Sequence, residues 1–280
     1  MSTSATISFI GAGNMATAII GGMLANGFTA SNIWVSAPDD DHLQTIRQRF
    51  GVSVTTDNRH CAQQGDMVVL AVKPQVMRDV CDSIAPVVQN TRPLVVSIAA
   101  GLETSTLDGW LAGGLPLVRV MPNTPSLVGK GAAGLYANDA VTATQKKTVE
   151  SVFSSIGIAL WVEEEKLLHA VTALSGSGPA YFFLMLEALE EAATEAGIES
   201  ATARKLAIQT MAGAAEMAAQ SEFDPAQLKR NVMSPGGTTE QAINSFEKGG
   251  LRHLVKDAYG AAFKRSGEMA KELASPDAGR

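Results

Sequence analysis

Two glycine-rich segments at opposite ends of the chain carry the residue types that hold an anion through the backbone. Near the C-terminus, Asn231-Val232-Met233-Ser234-Pro235-Gly236-Gly237-Thr238-Thr239-Glu240-Gln241 joins a glycine loop to a predicted helix start. Adjacent glycines let the main chain come close to a ligand, and the first N–H groups of a helix have no internal partner, so they can face a carboxylate. Thr238 and Thr239 add hydroxyls at the same spot. The plainer reading is an N-cap, since Thr238 with Gln241 fits the S/T-x-x-E/Q capping box. At the other end, Phe9-Ile10-Gly11-Ala12-Gly13-Asn14-Met15-Ala16 reads G-x-G-x-x-A, directly after a predicted strand and at the opening of a predicted helix. Gly11 permits the tight turn, Gly13 lets a pyrophosphate approach the backbone, and Ala16 lets helix and strand pack closely. In that context the motif points to a dinucleotide.

Which dinucleotide depends on the end of the second strand, where NAD-specific proteins place an acid on the ribose 2′-hydroxyl. Here the strand ends Trp34-Val35-Ser36-Ala37-Pro38. Ser36 leaves room for a 2′-phosphate and Asn58 in the next loop can donate a hydrogen bond, which favours NADP(H). Asp39, Asp40 and Asp41 follow, and one of them turned inward would favour NAD(H) instead. Further strand ends offer Ala71-Val72-Lys73-Pro74, Ser97-Ile98-Ala99-Ala100-Gly101 and Met121-Pro122-Asn123-Thr124-Pro125. Lys73 can approach a phosphate or ribose, the small residues of the second let a nicotinamide ring lie flat, and Asn123 offers it an amide. Each also reads as an ordinary strand-to-helix connection.

Other chemistries are not visible. The four histidines (His42, His60, His169, His253) are scattered, without the i, i+4 spacing used for zinc, so no metal site is expected. Cys61 and Cys81 lack a partner spacing and read as reduced, buried thiols of a cytoplasmic protein. The net charge of −6 and the absence of a basic cluster argue against a nucleic-acid partner. No segment has the length of a membrane span, and the apolar stretch from Ala16 lacks the basic flank of a signal peptide.

Positioning these loops requires a sheet. With 280 residues, 46% hydrophobic and 18% charged, the chain has material for two domains with buried cores. Short β-branched runs at Thr6–Ile10, Ile33–Ser36, Met67–Val72, Leu94–Ile98, Leu117–Met121, Ala132–Tyr136 and Ile158–Val162 alternate with helical stretches. Several are apolar throughout, as strands covered on both faces are. The fold class is therefore α/β: an N-terminal Rossmann-type, doubly wound, mostly parallel sheet over 1–162. After Glu163-Glu164-Glu165 the texture turns to Ala, Met and Leu, giving an all-helical C-terminal domain over 163–280. Its helices are expected from Pro179 to about Ala196 with Gly197 as C-cap, from a Ser200 cap to about Ser221, from Asp224-Pro225, from Thr238/Thr239, and from Leu251 to about Leu273. The Ala-, Met- and Gly-rich stretch Thr210–Ala219 suggests burial between helices or in a homodimer, and the tail Ser275–Arg280 is expected to fray.

On Phe9–Ala16, Ala71–Pro74, Ser97–Gly101, Met121–Pro125, Leu174-Ser175-Gly176-Ser177-Gly178-Pro179-Ala180-Tyr181 and Asn231–Thr239, in that order, the chain resembles the pyrroline-5-carboxylate reductases along essentially its whole length. The resemblance implies NAD(P)H-dependent reduction of L-1-pyrroline-5-carboxylate to L-proline, the last step of proline biosynthesis. It also implies a dimer with interlocked helical domains, often assembled into rings. It carries Gly11, Ala12, Gly13, Asn14, Met15, Ser36, Asn58, Ala71, Val72, Lys73 and Ala99 over as cofactor contacts. Asn231, Ser234, Gly236, Gly237, Thr238 and Thr239 become the loop for a carboxylated cyclic imine, with the Thr239 hydroxyl on the ring nitrogen and backbone N–H groups on the carboxylate. Position 238, small in many relatives, is Thr238 here. Spacing around Glu163–Leu168 matches less closely, so a role for Glu164 is a weak transfer.

A protonated imine accepts hydride readily, so the protein need only position two reactants, which accounts for the lack of a Ser/His/Asp or Cys/His constellation. Tyr181 reads as core or as lying near the site. β-Hydroxyacid dehydrogenases share the architecture but use a lysine on the helix after a similar glycine turn, and Pro179–Ala196 contains none. Other imine reductases and a non-catalytic nicotinamide-binding protein are the remaining rivals.

Overall fold

The structure, a computed structural model, describes residues 5–274; the tail from 275 onward, and with it the expected fraying, lies outside the described residues. One sheet dominates. Its strands are β1 (Ile7–Ile10), β2 (Ile33–Ser36), β3 (Ser53–Thr55), β4 (Met67–Leu70), β5 (Leu94–Ser97), β6 (Leu117–Met121), β7 (Gly131–Ala137) and β8 (Gly157–Trp161). They lie in the order β3-β2-β1-β4-β5-β6-β7-β8. All neighbours are parallel except β6 and β7, so the sheet is mostly parallel, as the apolar runs imply. Successive residues of the central strands enter opposite cores: Phe9, Met67 and Val96 on one side, Ile10, Val68 and Val95 on the other. Helices therefore cover both faces, and the doubly wound reading holds.

By compactness the chain forms two units. One runs to Ser177 and resumes at Ala262; the other is Gly178–Ala261. This division differs from the boundary read at 162/163, and the reason is polar. Glu165 accepts hydrogen bonds from Thr104 and Arg119, and Asn123 donates to the Ser175 carbonyl at 3.0 Å, so 163–177 stays with the sheet. That segment forms a short helix, Leu167–Val171, and a π-helical turn, Thr172–Gly176.

The second unit is helical throughout, with Gly178–Glu195, Ser200–Gln220, Pro225–Asn231 and Thr238–Lys248, and the helix Leu251–Ala274 begins in it. Gly197 takes φ +97° past the first of these, as a C-cap residue does. Glu199, not Ser200, caps the next, accepting from the N–H groups of Ala201 and Thr202, while the Ser200 hydroxyl donates to Glu190. In the single chain the stretch 210–219 is largely exposed, as are Phe182, Phe183 and Leu184. No described helix is long and apolar enough to cross a membrane.

The β7–β8 pairing rests on a glycine pair. Gly131 and Gly157 face each other in register, and at φ +150° a Cβ on Gly157 would run into the Gly131 carbonyl. Gly157→Ala should therefore destabilise the fold by on the order of 3 kcal/mol, seen as a lowered Tm by circular dichroism.

Candidate functional site

The glycine turn sits where the strand order reverses, between β1 and β4, which is where open α/β sheets bind ligands. The Gly11 N–H donates to the Ser36 carbonyl and the Ala71 N–H to the Ile10 carbonyl, both at 2.8 Å, so the ends of β2, β1 and β4 are drawn together. Gly11 has φ +108°, and a Cβ there would lie 2.6 Å from the Ala71 oxygen. Glycine is required at this turn by both conformation and space. Gly13 is different: its φ of −73° suits any residue, and nothing lies within 4 Å of where its Cβ would be. Neither the fold nor a neighbour asks for glycine at 13; open space over the start of the helix Asn14–Ala25 fits a ligand brought against the backbone. That helix has no side-chain N-cap, which leaves its first N–H groups for phosphate oxygens. Gly13 and Asn14 are exposed and Met15 half-buried, whereas Ala12 and Ala16 are buried beneath them.

His42 holds this turn from outside. Its Nε2–H donates to the Ala12 carbonyl at 2.8 Å. Scattered spacing gave no reason to single it out from sequence. On the same helix Asp39 acts as N-cap, accepting from the His42 N–H at 3.1 Å, and Asp40 and Asp41 fill the first turn. Ser36 is fully buried at the end of β2. Its hydroxyl donates to Asn58 Oδ1 at 2.8 Å, which ties the half-buried Asn58 amide to the end of β2.

The strand expected to reach Val72 ends at Leu70, so Ala71, Val72 and Lys73 form the turn beside Gly11, with Lys73 exposed as N-cap of Pro74–Thr91. Ala99 is buried, and its N–H donates to Ser97 Oγ at 3.3 Å. Asn123 is turned inward rather than offered freely: Oδ1 accepts from the Ala132 N–H at 2.9 Å while Nδ2 donates to Ser175. It braces the wall and keeps one amide hydrogen. Both cysteines are buried and free, and burial pushes each thiol up to about 12, so neither serves as a nucleophile. No group of metal-ligating side chains occurs among the described residues.

In the second unit, the loop Asn231–Gly237 is largely exposed in the single chain. The helix starts one residue earlier than a Thr238/Gln241 box needs. Gly237 is the N-cap, without a side-chain bond, and Glu240 reaches back so that the Gly236 N–H donates to its carboxylate at 2.8 Å. The Gly237 N–H donates to the Ser234 carbonyl at 2.9 Å. Those two donors are thus occupied, and the helix leaves the N–H groups of Thr238 and Thr239 to face an anion. Asn231 Oδ1 accepts from Gln227. Of the two readings of Tyr181, core or near the site, its 38% exposure in the single chain does not fit the core. Glu164 pairs with Lys166 at the surface.

A parallel sheet with an empty-topped Gly13 turn at its switch point, followed by a helical unit, defines a nicotinamide-dinucleotide-binding oxidoreductase of Rossmann type. Residues 6–101 match the family described as "NADP oxidoreductase coenzyme F420-dependent", and residues 165–269 match "Pyrroline-5-carboxylate reductase dimerisation". The chain is similar to the pyrroline-5-carboxylate reductase of Pseudomonas aeruginosa, with 47% identity over 95% of this chain and 97% of the relative. It shares 39% identity with that of Pisum sativum, over 96% and 98% of the two chains. Among solved structures, the Coxiella burnetii reductase superposes with a TM-score of 0.93 at 44% identity, covering 96% of this chain and 99% of that one. A Plasmodium falciparum reductase with NADP bound gives 0.84 at 32% identity, over 96% and 100%. The chain belongs to the pyrroline-5-carboxylate reductase family.

The two glycines make opposite predictions. Gly13→Ala should fold with an unchanged Tm yet weaken dinucleotide binding by about tenfold or more, roughly 1.4 kcal/mol, in a fluorescence titration. Gly11→Ala should lower the Tm itself.

Proposed function

We propose that this protein reduces L-1-pyrroline-5-carboxylate to L-proline, with NADPH preferred over NADH. The observation that carries the reading is the open space over Gly13, in a chain matched over nearly its full length by reductases of this substrate. When bound, the reduced nicotinamide supplies the hydride that adds to the C=N carbon. The backbone of Gly11–Met15 would hold the pyrophosphate with the turn Ala71–Lys73 alongside, and the nicotinamide would lie against the loop that holds Ala99.

The chain's own residues then have two tasks. The N–H groups of Thr238 and Thr239 anchor the substrate carboxylate at the positive end of their helix, and the Thr239 hydroxyl hydrogen-bonds the ring nitrogen. Asn231, Ser234, Gly236 and Gly237 shape that loop. Because the imine arrives protonated, hydride addition leaves a neutral secondary amine, and no enzyme acid is needed to complete it. The lack of a titratable group in the loop other than the Glu240 cap agrees with that economy.

NADPH preference is supported by the neutral Ser36–Asn58 pair at the end of β2 and by Asp39 being held in its cap. A homodimer is supported by the exposed Phe182, Phe183 and Leu184 in a region matching a dimerisation family. Assembly of dimers into rings, and the domain limits 1–162 and 163–280 as functional halves, belong to the same proposal. A cytoplasmic location fits two free, buried thiols.

The direct test follows loss of reduced-cofactor absorbance with pyrroline-5-carboxylate, comparing NADPH with NADH; oxidation of neither would overturn the reading. Thr239→Ala should lower kcat/KM by about tenfold or more, corresponding to about 1.4 kcal/mol of lost transition-state stabilisation. Asn58→Asp sets a carboxylate against the 2′-phosphate. It should cut the NADPH-to-NADH ratio of kcat/KM by roughly tenfold or more, and an unchanged ratio would remove Asn58 from cofactor selection.

A further inference from the structure

Glu165 makes an unusual number of contacts for a residue in a connecting segment. Its Oε1 accepts from the Thr104 N–H at 2.6 Å and from Arg119 Nη1 at 2.8 Å, and its Oε2 accepts from the Thr104 hydroxyl at 2.7 Å. The partners are 61 and 46 residues away in sequence. Arg119 is only 5% exposed, on β6 between Ser97 of β5 and Tyr136 of β7, and its Nε has no hydrogen-bond partner among the described residues. A buried guanidinium needs a compensating charge, and Glu165 supplies it.

Charge compensation alone does not explain the geometry, since two of the three bonds go to Thr104 rather than to the arginine. Thr104 is the first residue of the helix Thr104–Trp110, whose N-cap Glu103 makes no side-chain cap bond. Glu165 provides that cap from a distant part of the chain. It thereby fixes the far end of the loop 98–103, whose near end leaves β5 at Ser97. The middle of the loop is confined as well. Gly101 has φ +79°, and a Cβ on it would lie 3.0 Å from Leu273 Cδ1. One turn beyond Glu165, His169 Nδ1 lies 2.9 Å from the Ser266 hydroxyl; burial and the nearby Arg119 lower its pKa, against Glu103 and Glu165 which raise it.

We infer that Glu165, acting through Thr104 and braced by Arg119, is a positioning residue that sets the loop 98–103 for hydride transfer. The inference rests on the reading above in one respect, that this loop borders the nicotinamide. Glu165 touches neither substrate nor cofactor in this scheme. Its effect separates from that of the pyrophosphate cradle, because Gly11–Met15 and Asn58 hold the other end of the dinucleotide.

The test uses Glu165→Gln, Thr104→Val and Thr104→Ser in the full chain. Without cofactor, hydrogen exchange at 98–104 should quicken by about tenfold or more in the Gln and Val variants and return towards the parent rate in Thr104→Ser. With pyrroline-5-carboxylate, kcat should fall by about tenfold in the first two while the Kd for NADPH stays within about twofold, and Thr104→Ser should recover most of the loss. Unchanged exchange in that loop would overturn the inference. So would a kcat that falls only in step with the Kd and with a general loss of protection across the sheet, which is the signature of a merely structural pair. If the parent chain oxidised neither cofactor, the functional reading would fall by itself, and the exchange data would still decide whether Glu165 orders the loop.

Discussion

The contact on which the rest of the molecule depends is the approach of the β1 turn to the β4 turn at Gly11. A side chain there would strike the Ala71 carbonyl, and its absence lets the ends of β2, β1 and β4 be tied by main-chain hydrogen bonds at 2.8 Å. Once those ends converge, the helix Asn14–Ala25 starts directly beneath the crevice with its N–H groups uncapped. His42 from the next helix and the Ser36–Asn58 pair then meet the same turn. The crevice is thus a consequence of backbone packing.

A second constraint concerns charge in the interior. Arg119 lies in the middle of the sheet, where an unpaired guanidinium would be costly. Its partner does not come from a neighbouring strand but from the segment that leads out of the sheet after β8. The pairing ties the segment after β8 back to the sheet. Tyr136, opposite Arg119 on β7, feels the same region: burial, with the Glu165 and Asp139 charges, raises its pKa and keeps its hydroxyl protonated.

Local signals carried the fold far. Apolar runs located seven strands, those at the centre because both faces are covered and β8 despite the exposed Ile158 and Leu160, whereas β3, three half-buried residues at the sheet edge, has too short a run to register. The G-x-G-x-x-A letters located the turn between β1 and the helix Asn14–Ala25 because its requirements are main-chain and sequential. Signals off by one residue misled: Thr238/Gln241 and Ser200 have cap chemistry, but the caps fall at Gly237 and Glu199. Contacts across sequence were illegible. Nothing in the letters says that Glu165 meets Thr104, that Asn123 spends its amide on Ala132 and Ser175, or that His42 finds the Ala12 carbonyl.

The bond from the Gly236 N–H to Glu240 has a thermodynamic consequence for the loop that carries it. A glycine pair in solution samples many conformers, and a ligand that had to freeze them would lose affinity to their entropy. Here the protein's own carboxylate, together with the Ser234 carbonyl bound by Gly237, has already selected one conformer during folding. A carboxylate bound as proposed would meet donors that are aligned in advance. Its binding would spend little on ordering the main chain, leaving the interaction energy at Thr238 and Thr239 for affinity and orientation.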